Sequence, residues 1–387
     1  MITDLHLGGS EIALVRLIER LDRGEFESLV VSLMSGGILA ERARAAGAEV
    51  VSLGVRPRGG WVVAVARIAE VLRRFDPDLV QGWMYHGNLV AYLGARFTDR
   101  RPAVVWNIRQ SLASLGREKP LTRIVIRLNA WLSRRVVAII NNSETSVTQH
   151  ASIGFDTERV RIIPNGFDLD KFRPSPEARA AIRREIGVPP DASLVGMLSR
   201  YHPVKGHDVF LRAAMQIRRA LPRTQFVLAG PGVSWANRDL RARITASGLE
   251  SSVHLLGTRT DSEALLASLD VLVSASGWAE GFPNVVGEAM ATGVPCVVTD
   301  TGGSAAVVGQ CGTVVAPNDG DALAAAVEEI LSLSDAERTA LGARARERIA
   351  SHFEMGRVVA LYRDLYQSVA FDDAATSASD GPVRVSA

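Results

Sequence analysis

The chain has 387 residues and a net charge of +2, from 44 Lys and Arg against 42 Asp and Glu. This length accommodates roughly two domains with cores of their own, and so small a net charge excludes the strongly basic footprint of a nucleic-acid-binding protein. Two cysteines form neither a disulfide framework nor a metal-ligand pattern, and no apolar run has the length of a membrane span. We therefore expect a cytoplasmic protein.

The first half of the chain alternates short β-branched segments with amphipathic helices. Gly8 and Gly9 form a turn before a helix that we expect to begin near Ser10, whose hydroxyl would cap it. Further strands are predicted over residues 27–33, 48–54, 78–84, 103–108 and 135–143, and helices over 39–47, 61–75 and 88–96. Such alternation is typical of a parallel sheet with helices on both faces.

Residues 119–135 predict a helix of a different kind. Its apolar residues recur with helical spacing, at Leu121, Ile124, Val125, Leu128, Trp131 and Leu132. Five basic residues accompany them: Lys119, Arg123, Arg127, Arg134 and Arg135. Two interpretations stay open: a core helix with a solvated outer face, or a basic, tryptophan-bearing helix that rests on an anionic membrane surface. They differ in whether the apolar stripe faces the sheet or the lipid.

A segment rich in proline, glycine and aspartate, residues 159–176, separates this region from a second alternating series and indicates a domain boundary. In the second series, strands are predicted over 193–199, 225–232, 252–257, 270–276, 296–300 and 312–317. We expect an N-terminal domain over 1–165 and a C-terminal domain over 166–352. A helix over 353–370 is predicted to cross back, and residues 371–387 to form a disordered tail.

The segment 277–303 combines two carboxylates with a helix start. Glu280 lies in a loop after a predicted strand, and Glu288 lies one turn into the next helix, which Asn284 is expected to cap. A carboxylate can accept hydrogen bonds from two neighbouring hydroxyls, and the free N–H groups of a helix start suit an anion. The segment therefore predicts a site for a sugar joined to a phosphate. The alternative is that both glutamates are ordinary surface residues.

Cations follow another strand of the same predicted sheet. Arg200 comes directly after residues 193–199, and Lys205 and Gly206 follow within a short loop. An arginine and a lysine together at a strand end, beside a glycine at a helix start, favour a diphosphate. A turn at residues 258–261, which includes Arg259, follows a third strand and is a weaker candidate for recognition of a base.

These motifs resemble those of the retaining glycosyltransferases of family 4, which have the two-domain GT-B fold. The resemblance rests on SRYHPVKG at 199–206, EGFPNVVGE at 280–288, IPNGFDLDKF at 163–172 and GGSE at 8–11, and it covers nearly the whole chain. It implies two Rossmann-like doubly wound domains that face each other across a cleft. It also implies sugar transfer, with retention of configuration, from a nucleotide-diphosphate sugar such as a UDP-sugar to a glycan or lipid-linked acceptor in polysaccharide biosynthesis. No metal or other cofactor is expected.

The resemblance gives roles to matching residues of the C-terminal domain. Arg200 and Lys205 look like the pair that binds the donor diphosphate and stabilises it as it leaves. Glu288 resembles the carboxylate on the ribose, and Glu280 the residue that acts at the donor sugar. The remaining residues look like the loop that holds the sugar and the distal phosphate, or, for the last one, a contact to the base: Gly281, Phe282, Pro283, Asn284 and Arg259.

The N-terminal domain has fewer matches. Gly8 and Gly9 resemble the loop that closes over the phosphate, and His86 resembles the cleft histidine near the donor sugar, although a lone histidine is more often structural. Arg109 and Gln110 follow a predicted strand and would contact the acceptor or merely cap a helix. The family also has a complete strand before the glycine turn, of which this sequence shows only residues 1–5. Either the true start lies upstream, or this sheet lacks part of a central strand.

Two other functions remain alternatives. A nucleotide-sugar 2-epimerase has the same architecture but needs acid and base groups around the sugar and no acceptor, so the products formed from donor alone distinguish it. A non-catalytic nucleotide-sugar-binding protein would not need the complete set of arginine, lysine and paired glutamates.

Overall fold

The structure is a computed structural model of the chain, and it describes residues 1–6, 8–34, 36–55, 61–112, 114–278, 280–373 and 381–387. The chain forms two compact units. The N-terminal unit comprises Met1–Gly166 with Gly356–Ala387, and the C-terminal unit comprises Phe167–Met355. The helix predicted over 353–370 therefore packs as part of the N-terminal unit.

Strands and helices alternate through both units. The strands are β1 Phe26–Ser32, β2 Glu49–Ser52, β3 Leu79–Trp83, β4 Ala103–Ile108, β5 Ala138–Asn141, β6 Val160–Ile162, β7 Leu194–Leu198, β8 Gln225–Ala229, β9 Val253–Leu255, β10 Val271–Ser274, β11 Cys296–Thr299, β12 Thr313–Val315 and β13 Val383–Ser386. The helices are α1 Gly9–Ile18, α2 Ala40–Ala45, α3 Trp61–Phe75, α4 Met84–Ala95, α5 Pro120–Leu132, α6 Glu144–Ala151, α7 Pro176–Glu185, α8 His207–Ala220, α9 Arg238–Ala246, α10 Ser262–Ala267, α11 Asn284–Ala291, α12 Ser304–Val308, α13 Gly320–Ser332, α14 Asp335–Phe353 and α15 Met355–Asp373.

The N-terminal unit is built on a parallel sheet with the strand order β2-β1-β13-β3-β4-β5-β6. Val105 of β4 packs in one apolar cluster, and its neighbours Val104 and Trp106 pack in another. Successive side chains of a strand point to opposite faces, so this sheet has a core on each face. Every residue of β3 and β4 is buried, which explains why these strands are apolar along almost their whole length.

The C-terminal unit has a second parallel sheet, with the order β12-β11-β10-β7-β8-β9. Val271 and Val273 of β10 belong to one apolar cluster and Leu272, between them, belongs to another. This sheet too is covered on both faces. The predicted fold class, two doubly wound parallel-sheet units, is therefore confirmed for each unit. That they face each other across a cleft stays a prediction.

The last strand of the chain fills the central position of the N-terminal sheet that the sequence left incomplete. β13 lies between β1 and β3 and is parallel to both. Met1 continues the same line, because the Trp83 N–H donates to Met1 O at 2.8 Å and Ile2 forms a parallel bridge with Ser32. The predicted gap is thus occupied by a segment distant in sequence, whose backbone groups pair with both neighbours.

The prediction of a disordered tail is accordingly wrong for residues 381–387. Val385 is 1% exposed, and the N–H of Ala387 donates to Leu29 O at 2.7 Å. Composition suggested disorder because the segment is short and lies among small polar residues, but two valines in alternation suffice for a strand when both neighbouring strands are already present. Residues 374–380 of the predicted tail lie outside the described residues.

Three helices begin earlier than predicted. α1 begins at Gly9 with Gly8 as its N-cap, and α11 begins at Asn284 after Pro283. The caps predicted at Ser10 and Asn284 are therefore wrong, since both residues already lie within a helix. α4 begins at Met84 rather than at residue 88. Within the described part of the chain, no helix has the length and apolar character to cross a bilayer.

Candidate active site

The polar residues singled out in the C-terminal unit lie at one edge of its sheet. All six strands are parallel, so the loops that follow β7 to β11 leave from the same, carboxyl edge. Backbone hydrogen bonds join these loops side by side: Gly277 N–H to Val204 O at 2.8 Å, Gly303 N–H to Gly281 O at 3.1 Å, and Gly230 N–H to Gly257 O at 2.7 Å. The edge is a continuous, hydrogen-bonded surface rather than a set of separate loops.

Gly206 brings the loop after β7 against the loop after β10. Its φ is +69°, and a Cβ at this position would lie 2.0 Å from the carbonyl oxygen of Ala275. Only glycine tolerates both the left-handed conformation and this close approach. The short turn Pro203–Lys205 just before it thereby places the Lys205 side chain over the neighbouring loop.

Lys205 and Glu280 form an ion pair at this edge. The Lys205 Nζ lies 2.6 Å from Glu280 Oε2, and the side chains are 25% and 13% exposed. The hydroxyl of Ser276 donates to the same Oε2 at 2.7 Å, and the Thr299 hydroxyl donates to the Ser276 carbonyl oxygen at 2.6 Å. A cation and a hydroxyl thus hold one carboxylate oxygen in place.

Ser276 and Thr299 are positioning residues that the sequence reasoning missed. Both are about 1% exposed. Ser276, two residues after β10, binds the Glu280 carboxylate, and Thr299, the last residue of β11, binds the Ser276 backbone. A signal was present: each is a hydroxyl residue at the carboxyl end of an otherwise apolar strand, where ligands of such sheets bind.

Arg200 precedes Lys205 in the loop after β7, and its side chain is exposed. Its guanidinium forms no ion pair or side-chain hydrogen bond with another residue in the described part of the chain, in contrast to Lys205. Three buried hydroxyl oxygens at the same edge, Ser199 Oγ, Thr301 Oγ1 and Ser304 Oγ, also have no hydrogen-bond partner within the described residues. Since buried polar atoms nearly always form a hydrogen bond, these three oxygens have unused hydrogen-bonding capacity for a ligand or an ordered water.

The loop 281–284 is fixed by its aromatic residue. The Phe282 ring packs on Phe167 at 6.2 Å and on Phe353 at 5.5 Å between centroids. Its side chain therefore belongs to the core, so Phe282 can contribute only backbone groups at the sheet edge. Glu288 is half-buried on α11, and Gly287 beside it is required because a Cβ there would lie 2.0 Å from the Phe167 ring.

The guanidinium of Arg259 is bound by two carboxylates of the protein. It binds the carboxylate of Asp261 through Nε and Nη2, at 2.8 and 2.6 Å, and also pairs with Glu185. These hydrogen bonds, led by that of Asp261, raise the pKa of the guanidinium. The residue lies at the end of β9 as expected, but its charge is neutralised within the protein. Contact with a donor base stays a prediction.

His207 opens α8 directly after the Lys205 turn. Its ring is 3% exposed and packs edge-on against Tyr201 at 5.0 Å. Neither ring nitrogen has a hydrogen-bond partner among the described residues, and burial lowers the pKa of the imidazole to about 4. The ring is therefore neutral at pH 7.

In the N-terminal unit, His86 lies in the first turn of α4, at the carboxyl end of β3. Met84 before it has a φ of +62°, an uncommon conformation for a residue other than glycine and one often found at functional sites. His86 is half-buried, and this burial lowers the pKa of its imidazole. The structure thus places His86 where the sequence predicted, after a buried strand.

The side chain of Arg109 forms hydrogen bonds within the N-terminal unit. Its Nη1 donates to Ile163 O at 3.0 Å and to the Tyr362 hydroxyl at 2.9 Å, and its Nη2 binds Asn165 Oδ1. These bonds join the end of β4 to the chain before the unit boundary and to α15. These bonds of Arg109 go to a loop and to a tyrosine hydroxyl rather than to the end of a helix, and acceptor contact by Arg109 stays a prediction.

Gln110 belongs to a buried network. Its side-chain amide donates to the Tyr85 hydroxyl at 3.3 Å, and that hydroxyl lies 2.7 Å from Nε2 of His150. Burial is the main cause that lowers the pKa of His150. Tyr85 and His150, both missed in the sequence, fix the loop after β4, and acceptor binding by Gln110 stays a prediction.

The glycine turn at the start of α1 lies close to the carboxylate of Glu11. A Cβ on Gly8 would lie 2.2 Å from Glu11 Oε2, so a larger residue there would require the Glu11 side chain to move. Burial is the largest cause that raises the pKa of Glu11, and the Ser10 hydroxyl donates to its Oε2 at 2.9 Å. Gly9 is the first residue of α1, so the free N–H groups of the helix start lie at this turn.

Among the described residues, no group of three or more His, Cys, Asp or Glu side chains is placed to hold a metal ion. The groups at the carboxyl edge of the C-terminal sheet are instead cations, hydroxyls and backbone N–H groups beside the carboxylates of the two glutamates. Two Rossmann-like units, each with polar residues at the carboxyl ends of parallel strands, define a doubly wound α/β protein of the kind that binds its ligand at this edge.

Comparison with known proteins gives the family. A model described as Glycosyltransferase Family 4 matches residues 7–171, and one described as Glycosyl transferases group 1 matches residues 192–333. One match covers almost all of the first strand series and the other most of the second. The chain belongs to the family 4 type of glycosyltransferases, as its motifs indicated.

Curated relatives align over part of their length. EpsF of Bacillus subtilis, named as a candidate glycosyltransferase, is 36% identical over 146 residues, which are 38% of this chain and 37% of EpsF. The D-inositol 3-phosphate glycosyltransferase of Mycobacterium tuberculosis is 32% identical over 223 residues, 56% of this chain and 45% of that protein. The alignments thus span less than half of these relatives.

Solved structures match over almost the whole chain. HepE of Anabaena, crystallised with UDP-glucose, has a TM-score of 0.82 at 24% identity and covers 95% of this chain and 99% of its own. A glycosyltransferase from Rickettsia africae has a TM-score of 0.82 at 18% identity, covering 95% and 97%. At such low identity the likeness is one of fold.

Proposed function

We propose that the protein transfers a sugar, with retention of configuration, from a nucleotide-diphosphate sugar to a glycan or lipid-linked acceptor in the synthesis of a cell-surface polysaccharide. The observation that carries this proposal is the joined edge of the C-terminal sheet. There Arg200, Lys205 and the start of α11 supply positive charge within the same set of bonded loops as Glu280 and Glu288. The names of relatives support it: one acts on D-inositol 3-phosphate, and one was crystallised with UDP-glucose.

The positive groups would act on the leaving diphosphate. As the bond from the sugar to the diphosphate breaks, negative charge grows on the phosphate oxygens, and Arg200 and Lys205 would stabilise it. Electrostatic stabilisation of developing charge is usually the largest catalytic contribution, and one lost donor typically costs about 10²–10³ in rate. Lys205 is already paired with Glu280, so a bound diphosphate would either share this lysine with the carboxylate or displace the carboxylate from it.

The carboxylates would bind hydroxyls. Glu288 is proposed to hold the ribose diol, and Glu280 is proposed to lie by the donor sugar, oriented by Ser276. The backbone N–H groups of the loop 281–284 would serve the distal phosphate, as Phe282 is turned into the core. Catalysis in this scheme needs neither a protein nucleophile nor a metal ion, and undiminished activity in EDTA is the corresponding expectation.

The place of action is part of the proposal. A lipid-linked acceptor would bring a cytoplasmic enzyme to the inner face of a membrane, with residues 119–135 nearest the lipid. In the N-terminal unit His86 and the Gly8–Gly9 turn remain the proposed contacts to the donor, while Arg109 is better explained by its bonds within the unit.

A donor screen tests the function. The purified protein is incubated with common nucleotide sugars without acceptor, and release of nucleoside diphosphate is measured for each. We expect slow hydrolysis of one donor, which Arg200→Ala abolishes. Formation of a 2-epimer of the donor sugar would instead identify an epimerase, and tight binding without any turnover, with or without added acceptor glycans, would identify a binding protein.

A further inference from the structure

A cavity of about 500 Å³ lies in the C-terminal unit, at the edge of the sheet opposite the proposed donor site. Two of its lining residues, Asp270 and Pro295, directly precede β10 and β11, so we call it the amino-edge cavity. The loops of the donor site leave from the carboxyl edge, and the four residues of β10 separate the two edges by about 13 Å. The volume is within the range of small-molecule sites.

The walls of the amino-edge cavity come from three parts of this unit: the start of α7, the chain just before β10 and β11, and α14. Gly342 of α14 allows the helix to approach the chain before β11, because a Cβ on Gly342 would lie 2.0 Å from the carbonyl oxygen of Gly293. Apolar side chains form part of the lining, among them Pro174, Val294 and Ala343. The cavity is therefore bounded by segments that pack closely on one another.

Arginines are concentrated at this cavity. Arg179, Arg338 and Arg346 line it, and Arg183 follows Arg179 by one turn of α7. Two of these four share a single carboxylate: Nη2 of Arg179 lies 2.7 Å from Asp270 Oδ1, and Nη2 of Arg183 lies 2.6 Å from Asp270 Oδ2. The Asp270 side chain is only 8% exposed. One buried negative charge therefore balances one of two positive charges.

The other two arginines pair with no buried acid in the described part of the chain. Arg346 donates to the carbonyl oxygens of Phe172 at 2.7 Å and Leu169 at 3.1 Å, which accept hydrogen bonds but carry no net charge. Arg338 pairs with Asp335, whose side chain is 95% exposed, and such surface pairs contribute little. Both guanidinium groups thus keep much of their attraction for an anion.

The arginines around the cavity also repel one another. Burial is the largest cause that lowers the pKa of Arg183; Asp270 opposes this effect, and the positive charges of Arg179 and Arg338 add to it. An anion among these groups would reduce the repulsion, because an opposite charge favours the charged form of each guanidinium.

We propose that the amino-edge cavity binds a small phosphate monoester. Its phosphate carries close to two negative charges at pH 7 and would match the charge of the two arginines that pair with no buried acid. Arg338 would exchange the exposed Asp335 for phosphate oxygens, which suit the planar guanidinium. The organic part of the ligand would contact Pro174 and Val294. The argument rests on this cavity alone and not on the proposed sugar transfer.

Calorimetric titration of the full-length protein with phenyl phosphate tests the proposal. This probe joins a phosphate monoester to a ring, while benzoate has the ring with a single negative charge and phenol has the ring without one. We expect phenyl phosphate to bind more tightly than benzoate, and phenol not to bind. Arg338→Gln removes one cation and Ala343→Trp fills the cavity. Each should weaken binding of phenyl phosphate by about ten-fold or more.

A matched control comes from the same helix. Arg344 lies on α14, is exposed and does not line the cavity, so Arg344→Gln should bind phenyl phosphate as wild type does. Thermal unfolding establishes that all variants are folded, since exposed substitutions usually change stability little. The titrations are repeated in an Arg200→Ala background, where phosphate binding at the donor edge is weakened, and the loss caused by Arg338→Gln should be the same there.

Three results would overturn the proposal. The first is absence of phenyl phosphate binding to wild type. The second is equal binding of benzoate and phenyl phosphate, which would make the site one for any anion. The third is binding that Arg200→Ala abolishes and Arg338→Gln leaves unchanged, which would place the phosphate at the carboxyl edge of the sheet.

Discussion

The Nζ of Lys205 lies 2.6 Å from Oε2 of Glu280, so the cation expected to bind phosphate and the carboxylate expected to bind sugar are bound to each other. Opposite charges in a partly buried site attract strongly. A diphosphate must therefore compete with Glu280 for the lysine, and the two glutamates of the motif should respond to substitution in opposite ways.

The first prediction concerns these glutamates. Glu280→Gln removes the competing charge, so UDP, used as a nucleoside diphosphate without sugar, should bind several-fold more tightly, while sugar transfer slows by about 10²-fold. Glu288→Gln removes the proposed ribose contact and should weaken UDP binding. Calorimetric titration of UDP together with turnover measures both effects. Weaker UDP binding in Glu280→Gln would contradict the competition between carboxylate and phosphate.

The second prediction separates catalysis from stability. Arg200 is exposed and has no ion-pair or side-chain hydrogen-bond partner in the described part of the chain, so Arg200→Ala should change the free energy of unfolding by less than about 0.5 kcal/mol. Its turnover should nevertheless fall by about 10²–10³. Arg241→Ala, a substitution at an exposed arginine on α9, is the control for general loss of charge. Turnover near that of wild type would remove Arg200 from the site.

The third prediction concerns the strand β13. Val385 is buried between β1 and β3, and Val385→Asp would place a carboxylate there without a cation partner. We expect a loss of about 3 kcal/mol or more in the free energy of unfolding. Arg384→Gln, on the exposed side of the same strand, should cost less than about 1 kcal/mol because its pair with Glu27 is at the surface. Denaturant unfolding compares the two; equal stabilities would mean that β13 contributes little to the sheet.

The fourth prediction is a pH dependence. Burial lowers the pKa of His207 to about 4, whereas an unfolded histidine has a pKa of about 6.5. As pH falls through 6.5 the unfolded chain takes up a proton that the folded chain refuses until about 4, so stability falls across this window, by at most about 3 kcal/mol. His207→Phe keeps a ring against Tyr201 and should flatten the curve.

Chemical denaturation at several pH values between 4 and 7 measures this effect. The other histidines with lowered pKa, His86, His150 and His254, titrate in both proteins, so the difference between wild type and variant isolates residue 207. Parallel curves would mean that the pKa of His207 is the same in the folded and in the unfolded protein.

Much of the site could be predicted because its residues follow strands in the sequence. A strand of a parallel sheet delivers its next residues to the carboxyl edge, so Arg200, Lys205 and Glu280 were placed correctly by position alone. The contact between Lys205 and Glu280 was not predictable, because it depends on the close approach of Gly206 to Ala275 across the strand pair. Ser276 and Thr299 were missed for the same reason, since their importance lies in what they touch.

The sequence by itself determined the local features of this protein: the two alternating strand series, the strand ends that carry charge, and a helix at 119–135 with more apolar residues than a core needs. Periodicity and turn residues encode these features over a few positions. Only the tertiary structure decided which apolar residues of α5 face outward, that Arg109 binds within its own unit, and that residues 383–386 complete a sheet begun at the other end of the chain. Contacts between residues hundreds of positions apart depend on how strands pair, and no local pattern records that pairing.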